Sequence, residues 1–147
     1  MMLELKNITK KYQEKIIFEN LNVNFKKANT INGIIGKSGS GKTTLFNILF
    51  GLDTNYEGIY TIDGQNVKSF DFKKWDEMRK NEIHIVFQDF KLIENFTVLE
   101  NLTLTLNCKE IEALDALEKL DILSLKNTKV KNISGGEKQR LAIARAL

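Results

Sequence analysis

Leu3, Leu5 and Ile8 recur among Glu4, Lys6 and Asn7 at the loose two-residue period of a half-buried strand. Leu21, Val23 and Phe25 alternate more cleanly with Asn22, Asn24 and Lys26, predicting a second strand, with the apolar run Ile16-Ile17-Phe18 between the two. Lys26-Lys27-Ala28-Asn29 reads as a turn, Asn29 being able to take a left-handed conformation. Ile31-Asn32-Gly33-Ile34-Ile35 predicts a buried strand and residues 44–50 a helix that ends at Gly51, followed by a surface loop over 53–58. Ile59-Tyr60-Thr61-Ile62 predicts a strand turned by Asp63-Gly64. A helix over 72–79 places Phe72, Trp75 and Arg79 near one face, and Ile83-His84-Ile85-Val86-Phe87 reads as a third buried strand that delivers Gln88. From Phe96 the pattern is helical. Thr97-Val98-Leu99-Glu100 is a capping box, and 111–120 is an amphipathic helix with Leu114, Leu117 and Leu120 at helical spacing. Lys126 to Lys131 is a basic connector with a solvated surface.

Strands leading into helices make this an α/β chain, and 147 residues suffice for one domain with a real core. The apolar fraction of 42% and charged fraction of 28% are those of a soluble globular protein. A net charge of +3 suits a nucleotide or a membrane surface, but it also follows from lysine-rich composition, so no nucleic acid partner is expected. The single cysteine, Cys108, cannot form an internal disulfide, which fits a reducing compartment. No stretch approaches the roughly 20 apolar residues of a membrane span, and with an acid and an amide among its apolar residues Met1-Met2-Leu3-Glu4-Leu5-Lys6-Asn7 is not expected to be a signal peptide. A cytoplasmic location follows as an expectation. His84, the only histidine, stands inside a predicted strand without ligand partners and reads as structural.

The chemistry is concentrated in Gly36-Lys37-Ser38-Gly39-Ser40-Gly41-Lys42-Thr43-Thr44, which completes the form G-x-x-x-x-G-K-[ST]. The glycines let several N–H groups point inward around an anion, and the helix that follows adds its own N-terminal N–H groups and dipole. Lys42 can reach the β- and γ-phosphates, and the Thr43 hydroxyl is placed to ligate Mg²⁺. A glycine-rich turn with a surface lysine is the plain alternative; the strand, loop, helix order around the motif argues against it. Ser134-Gly135-Gly136-Glu137 is a second feature: a capping box before a helix, with two glycines that allow close approach of a phosphate.

Together these motifs make the chain resemble the ATP-binding cassette (ABC) family, the ATPase subunits of ABC transporters, over essentially all its length. Gly36, Ser38, Gly39, Ser40, Gly41, Lys42, Thr43 and Thr44 resemble the Walker A loop, Gln88 the Q-loop glutamine, and residues 133–139 the signature motif. Tyr12 lies where the family places an aromatic against adenine. The implied fold is a P-loop NTPase of ABC type: an antiparallel β region (1–30 and 56–70), a RecA-like core (31–55 and 81–90) and a helical subdomain (91–147). The sequence departs from the family at Ile133, usually leucine, and at Glu137, commonly glutamine. It stops at Leu147, before the Walker B strand with its carboxylates, so the domain is expected to be truncated, poorly stable alone or assembled through an exposed face, and better at holding ATP than at cleaving it.

The resemblance implies ATP and Mg²⁺ as cofactors, with Lys42 and Gln88 catalytic and Thr43 and Gln88 toward the metal. It implies a second ABC subunit facing head to tail, so that Ser134, Gly135, Gly136 and Glu137 meet the partner's ATP. It also implies an integral membrane permease and a peripheral location on the inner face of the membrane. Phe87 to Leu102 looks closest to subunits that export lipoproteins, antimicrobial peptides or bacteriocins. The alternatives are a soluble ABC ATPase of translation or DNA repair, and a fragment that binds nucleotide without turnover.

Overall fold

The computed structural model describes residues 1–25, 31–106 and 108–147. They form two units, Met1–Ile83 and His84–Leu147, each with its own core. The turn expected at 26–29 lies outside the described residues.

The first unit is built on an antiparallel sheet of order β2-β1-β3-β4, with β1 (Leu3–Tyr12) at its centre, β2 (Lys15–Phe25) and β3 (Glu57–Ile62) beside it and β4 (Gln65–Asn66) at the edge. Ile16-Ile17-Phe18 belongs to β2, so the first two predicted strands are one long hairpin, turned at Gln13 with φ 52°. The loose alternation at the start of the chain has a cause: Asn7 takes φ 53° and the register slips between Leu5 and Ile8. A residue inserted into a strand reverses which face its successors occupy. Leu5 and Ile8, three apart, are therefore both buried, and Lys10 follows Ile8 inward.

Helix α1 (Lys42–Leu49) buries Leu45, Ile48 and Leu49 in this core, each worth about 1.5–3 kcal/mol of apolar transfer. Tyr60 on β3 is fully buried, and its hydroxyl donates to the Leu49 carbonyl at 2.9 Å. Burial disfavours the charged phenolate and raises the Tyr60 pKa. Gly51 closes α1 at φ 66°, as expected; a Cβ there would lie 2.4 Å from the Trp75 indole. Asp63 and Gly64 make the expected turn between β3 and β4, at φ 47° and 82°.

Helix α2 (Phe72–Asn81) is capped by Asp71, whose Oδ1 accepts the Lys74 N–H at 2.7 Å. Trp75 and Met78 carry its buried face. Phe72, Trp75 and Arg79 do line one hollow, but Phe72 is 81% exposed.

Two predicted strands do not form. Residues 31–35 and 83–87 have no ladder partner among the described residues, and Ile31 and Ile35 are essentially fully exposed. A strand of continuous apolar residues needs neighbours to satisfy its backbone and cover both faces. Only alternating burial survives over 83–87, with Ile83 buried and His84 exposed, so His84 is surface and not strand filler.

The second unit is helical: α3 (Val98–Leu106), α4 (Glu110–Lys119) and α5 (Gly135–Ala144), joined by short 3-10 turns. Its core contains Val98, Leu102, Ala113, Leu117, Ile122, Val130 and Leu141. The α4 face is centred on Ala113 and Leu117, with Leu114 and Leu120 half-buried and Ile111 exposed. Asn101 is buried and satisfied: its amide donates to the Ile93 and Thr97 carbonyls and accepts from the Ile93 N–H. The basic connector is pinned by Val130, fully buried, and by a bridge between Thr97 and Lys129. Among the described residues no helix is long and apolar enough to cross a membrane.

Candidate functional site

In the first unit, residues 36–40 form an exposed loop and α1 begins directly after Gly41. Gly41 has φ 91°, and a Cβ there would stand 2.7 Å from Ile17 and 2.8 Å from Phe18. Only glycine lets β2 approach the loop this closely at that φ. No side chain caps α1, and no acidic residue occupies its first turn. Its leading N–H groups and positive dipole end are thus available to an anion. Lys42 sends its Nζ back along the loop, donating to the carbonyls of Gly36 at 2.8 Å and Lys37 at 2.9 Å. A cation is thereby held against the backbone at the start of the loop. Thr43 is exposed, while Thr44 is half-buried.

Tyr12 is 45% exposed and held from two sides. Its hydroxyl donates to Asp53 Oδ2 at 2.6 Å, and the Lys10 ammonium sits 4.5 Å from the ring centroid. Lys10 is 2% exposed and donates to Asp53 Oδ1 at 2.8 Å and the Asn55 carbonyl at 2.6 Å. The hydrogen bond to Asp53 raises the Tyr12 pKa, so the phenol keeps its proton. Burial alone would raise the Asp53 carboxyl; hydrogen bonds from Lys10, Tyr12 and the Asn55 N–H outweigh it and lower the pKa. Neighbouring Tyr56 is pushed up to about 12 by burial. The segment expected to be a surface loop therefore carries the half-buried carboxylate that pairs with a buried lysine.

In the second unit, Ser134 caps α5 as its sequence predicts: Ser134 N–H donates to Glu137 Oε2 at 2.6 Å, and Glu137 N–H to Ser134 Oγ at 3.3 Å. Glutamate fills this reciprocal position as well as glutamine does, which accounts for the departure at Glu137. Those hydrogen bonds hold the Glu137 carboxyl below its usual pKa. Ser134, Gly135 and Gly136 are exposed, and nothing lies within 4 Å of where a Gly135 Cβ would be. Gln88 is exposed in the turn before Phe90.

The structure thus gathers Tyr12 and the Gly36–Thr44 residues in one unit, and Gln88 with Ser134, Gly135, Gly136 and Glu137 in the other. Sequence reading missed Lys10 and Asp53. The one signal was Asn7, whose tolerance of left-handed φ permits the register slip that turns Lys10 inward.

A phosphate loop opening one helix of an α/β unit, and a serine and two glycines presented by the start of another helix, define a P-loop cassette. The chain belongs to the ABC transporter family, whose pattern matches residues 18–147. It is 39% identical over 153 residues to the methionine import ATP-binding protein MetN of Clostridioides difficile, covering 99% of this chain and 47% of that protein. It is 36% identical over 154 residues to the lipoprotein-releasing system ATP-binding protein LolD of Bacteroides fragilis, covering 99% of this chain and 70% of that one. Among solved structures, the dimeric, ADP- and Pi-bound cassette MJ0796 of Methanocaldococcus jannaschii superposes with a TM-score of 0.85 at 37% identity, covering 99% of this chain and 68% of that one. The chain therefore spans about half the length of the methionine relative and roughly two thirds of the others.

Proposed function

We propose that the chain belongs to the ATP-binding subunit of an ABC transporter, coupling ATP binding and hydrolysis to movement of cargo through a membrane permease. The observation that carries this reading is Lys42 anchored over its own loop at an uncapped helix N-terminus, the arrangement a polyphosphate needs. Lys42 exchanges loop carbonyls for phosphate oxygens, the loop N–H groups take up the remaining charge, and the Tyr12 ring offers a surface to adenine. Ser134, with Gly135 and Gly136, donates to the phosphate of ATP held by a second subunit facing head to tail; the relative MJ0796 is dimeric. Glu137 holds that serine in place.

By resemblance to the family, the donors to Mg²⁺ would be neutral oxygens, the Thr43 hydroxyl and the Gln88 amide; among the described residues no group of three acidic, histidine or cysteine residues could hold a metal. Such donors fit Mg²⁺ that arrives on the phosphates, since that ion keeps most of its ligands from phosphate and water. When bound, it neutralises phosphate charge. Lys42 and Gln88 position the phosphate and the attacking water.

For the cargo we propose export of a peptide or bacteriocin-like molecule, a reading supported by the resemblance of residues 87–102. Relatives named for import and for lipoprotein release share this much sequence. Two measurements test the reading. ATP titration of the full-length protein should give saturable binding that Lys42→Ala weakens, and no binding by either would sink the nucleotide assignment. ATPase activity of the full-length protein with its permease should rise with an exported peptide; no stimulation by any such peptide removes the export reading.

A further inference from the structure

The backbone after Gln88 adopts an unusual conformation. Phe90 and Lys91 take φ 57° and 48°, two consecutive left-handed residues, neither of them glycine. Each is disfavoured by its Cβ, and such pairs persist only where surrounding structure holds them. The local hold is slight: Phe90 N–H donates to the Phe87 carbonyl at 3.0 Å and Lys91 N–H to the Asp89 carbonyl at 2.6 Å. The Lys91–Asp89 ion pair is solvent-exposed at both ends and contributes little.

The decisive contact comes from a residue 54 and 55 positions away. Arg145 Nη2 donates to the Phe90 carbonyl at 2.6 Å and Nη1 to the Lys91 carbonyl at 2.7 Å. Consecutive left-handed residues bring their carbonyls to the same side, and the planar guanidinium fork spans both. Among the described residues no carboxylate pairs with Arg145, so its charge is committed to these two carbonyls. Arg145 also ends α5, the helix that begins with Ser134, Gly135, Gly136 and Glu137. A second tie runs the same way: Lys138 on α5 reaches Glu94 at 3.4 Å.

We propose that Arg145 is a positioning residue for Gln88: its fork fixes the left-handed pair and so sets the turn presenting Gln88 against the helix that presents Ser134. The role of Gln88 in nucleotide turnover rests on the function proposed above; the clamp itself does not.

The test is hydrogen exchange by mass spectrometry on the full-length protein. Arg145→Ala should speed exchange over 88–92 at least tenfold, with α5 residues 135–144 changing less than twofold. Arg145→Lys, which keeps the charge and loses the fork, should fall between. Adding Lys91→Asn, a residue that tolerates left-handed φ, should recover part of the protection lost in either variant. In ATPase assays with the permease, the Arg145 variants should lower kcat at least fivefold and leave KM for ATP within twofold. Unchanged exchange over 88–92, or exchange rising equally through α5 with no rescue by Lys91→Asn, overturns the proposal, as does a change in KM alone. If Arg145→Ala does not fold, Arg145→Lys with and without Lys91→Asn carries the same comparison. Wild-type and Lys42→Ala proteins that both fail to bind ATP would remove the nucleotide reading and leave the exchange result standing.

Discussion

Helices α1 and α5 both present residues suited to phosphate, and they begin in opposite ways. α1 opens on Gly41 with no capping side chain and no acid in its first turn. α5 opens on Ser134 and Glu137, which satisfy each other's backbone N–H groups. An uncapped start leaves donors that an anion can claim, whereas a self-capped start is rigid before any ligand arrives. The supports differ as well. α5 is organised by residues three apart, while the first site leans on Lys10 and Asp53, 43 apart. One helix start is left open to an anion, the other is closed by its own sequence.

The strongest way to break this contrast is through Asp53. Replacing it with alanine leaves the buried Lys10 charge without its anion and should cost about 3–5 kcal/mol of stability, read from urea unfolding of the first unit. A loss comparable to that of an exposed pair would show that the long-range support is dispensable. Lys42→Ala should weaken ATP binding by about 1.5–3 kcal/mol, roughly 10- to 140-fold in Kd by calorimetry, with the melting temperature little changed. Gly41→Ala should instead act on folding, by about 1–3 kcal/mol, because its φ and the Ile17 and Phe18 contacts both oppose a Cβ. Ser134→Ala removes one cap hydrogen bond of α5 and should cost about 1 kcal/mol.

Acid should sharpen the contrast in direction more than in size. The Asp53 pKa is lowered on folding, so its stabilisation is complete above the ordinary carboxyl value of about 3.9 and is lost as pH falls through the depressed value. Asp53→Asn should flatten that limb of the stability profile, whereas a limb of unchanged steepness would place the acid sensitivity elsewhere.

The local features were legible in the sequence. The capping boxes at Thr97 and Ser134, the turn at Asp63-Gly64 and the glycine after α1 each depend on residues within a few positions, and each forms. Apolar content predicts strands at 31–35 and 83–87, but a strand is made by its neighbours, and no ladder partner pairs with either among the described residues. Lys10 was hidden for a related reason: strict alternation gives its facing only until Asn7 breaks the phase. Nothing in the spacing of Arg145 announces that it reaches the turn at Phe90.

The burial of Lys10 has a practical corollary. With its ammonium engaged by Asp53, the Asn55 carbonyl and the Tyr12 ring, this amine is withdrawn from acylating reagents that modify surface lysines. Its acetylation under mild anhydride treatment should therefore lag behind theirs and keep time with opening of the first unit, making one lysine an internal clock for the loop beside it.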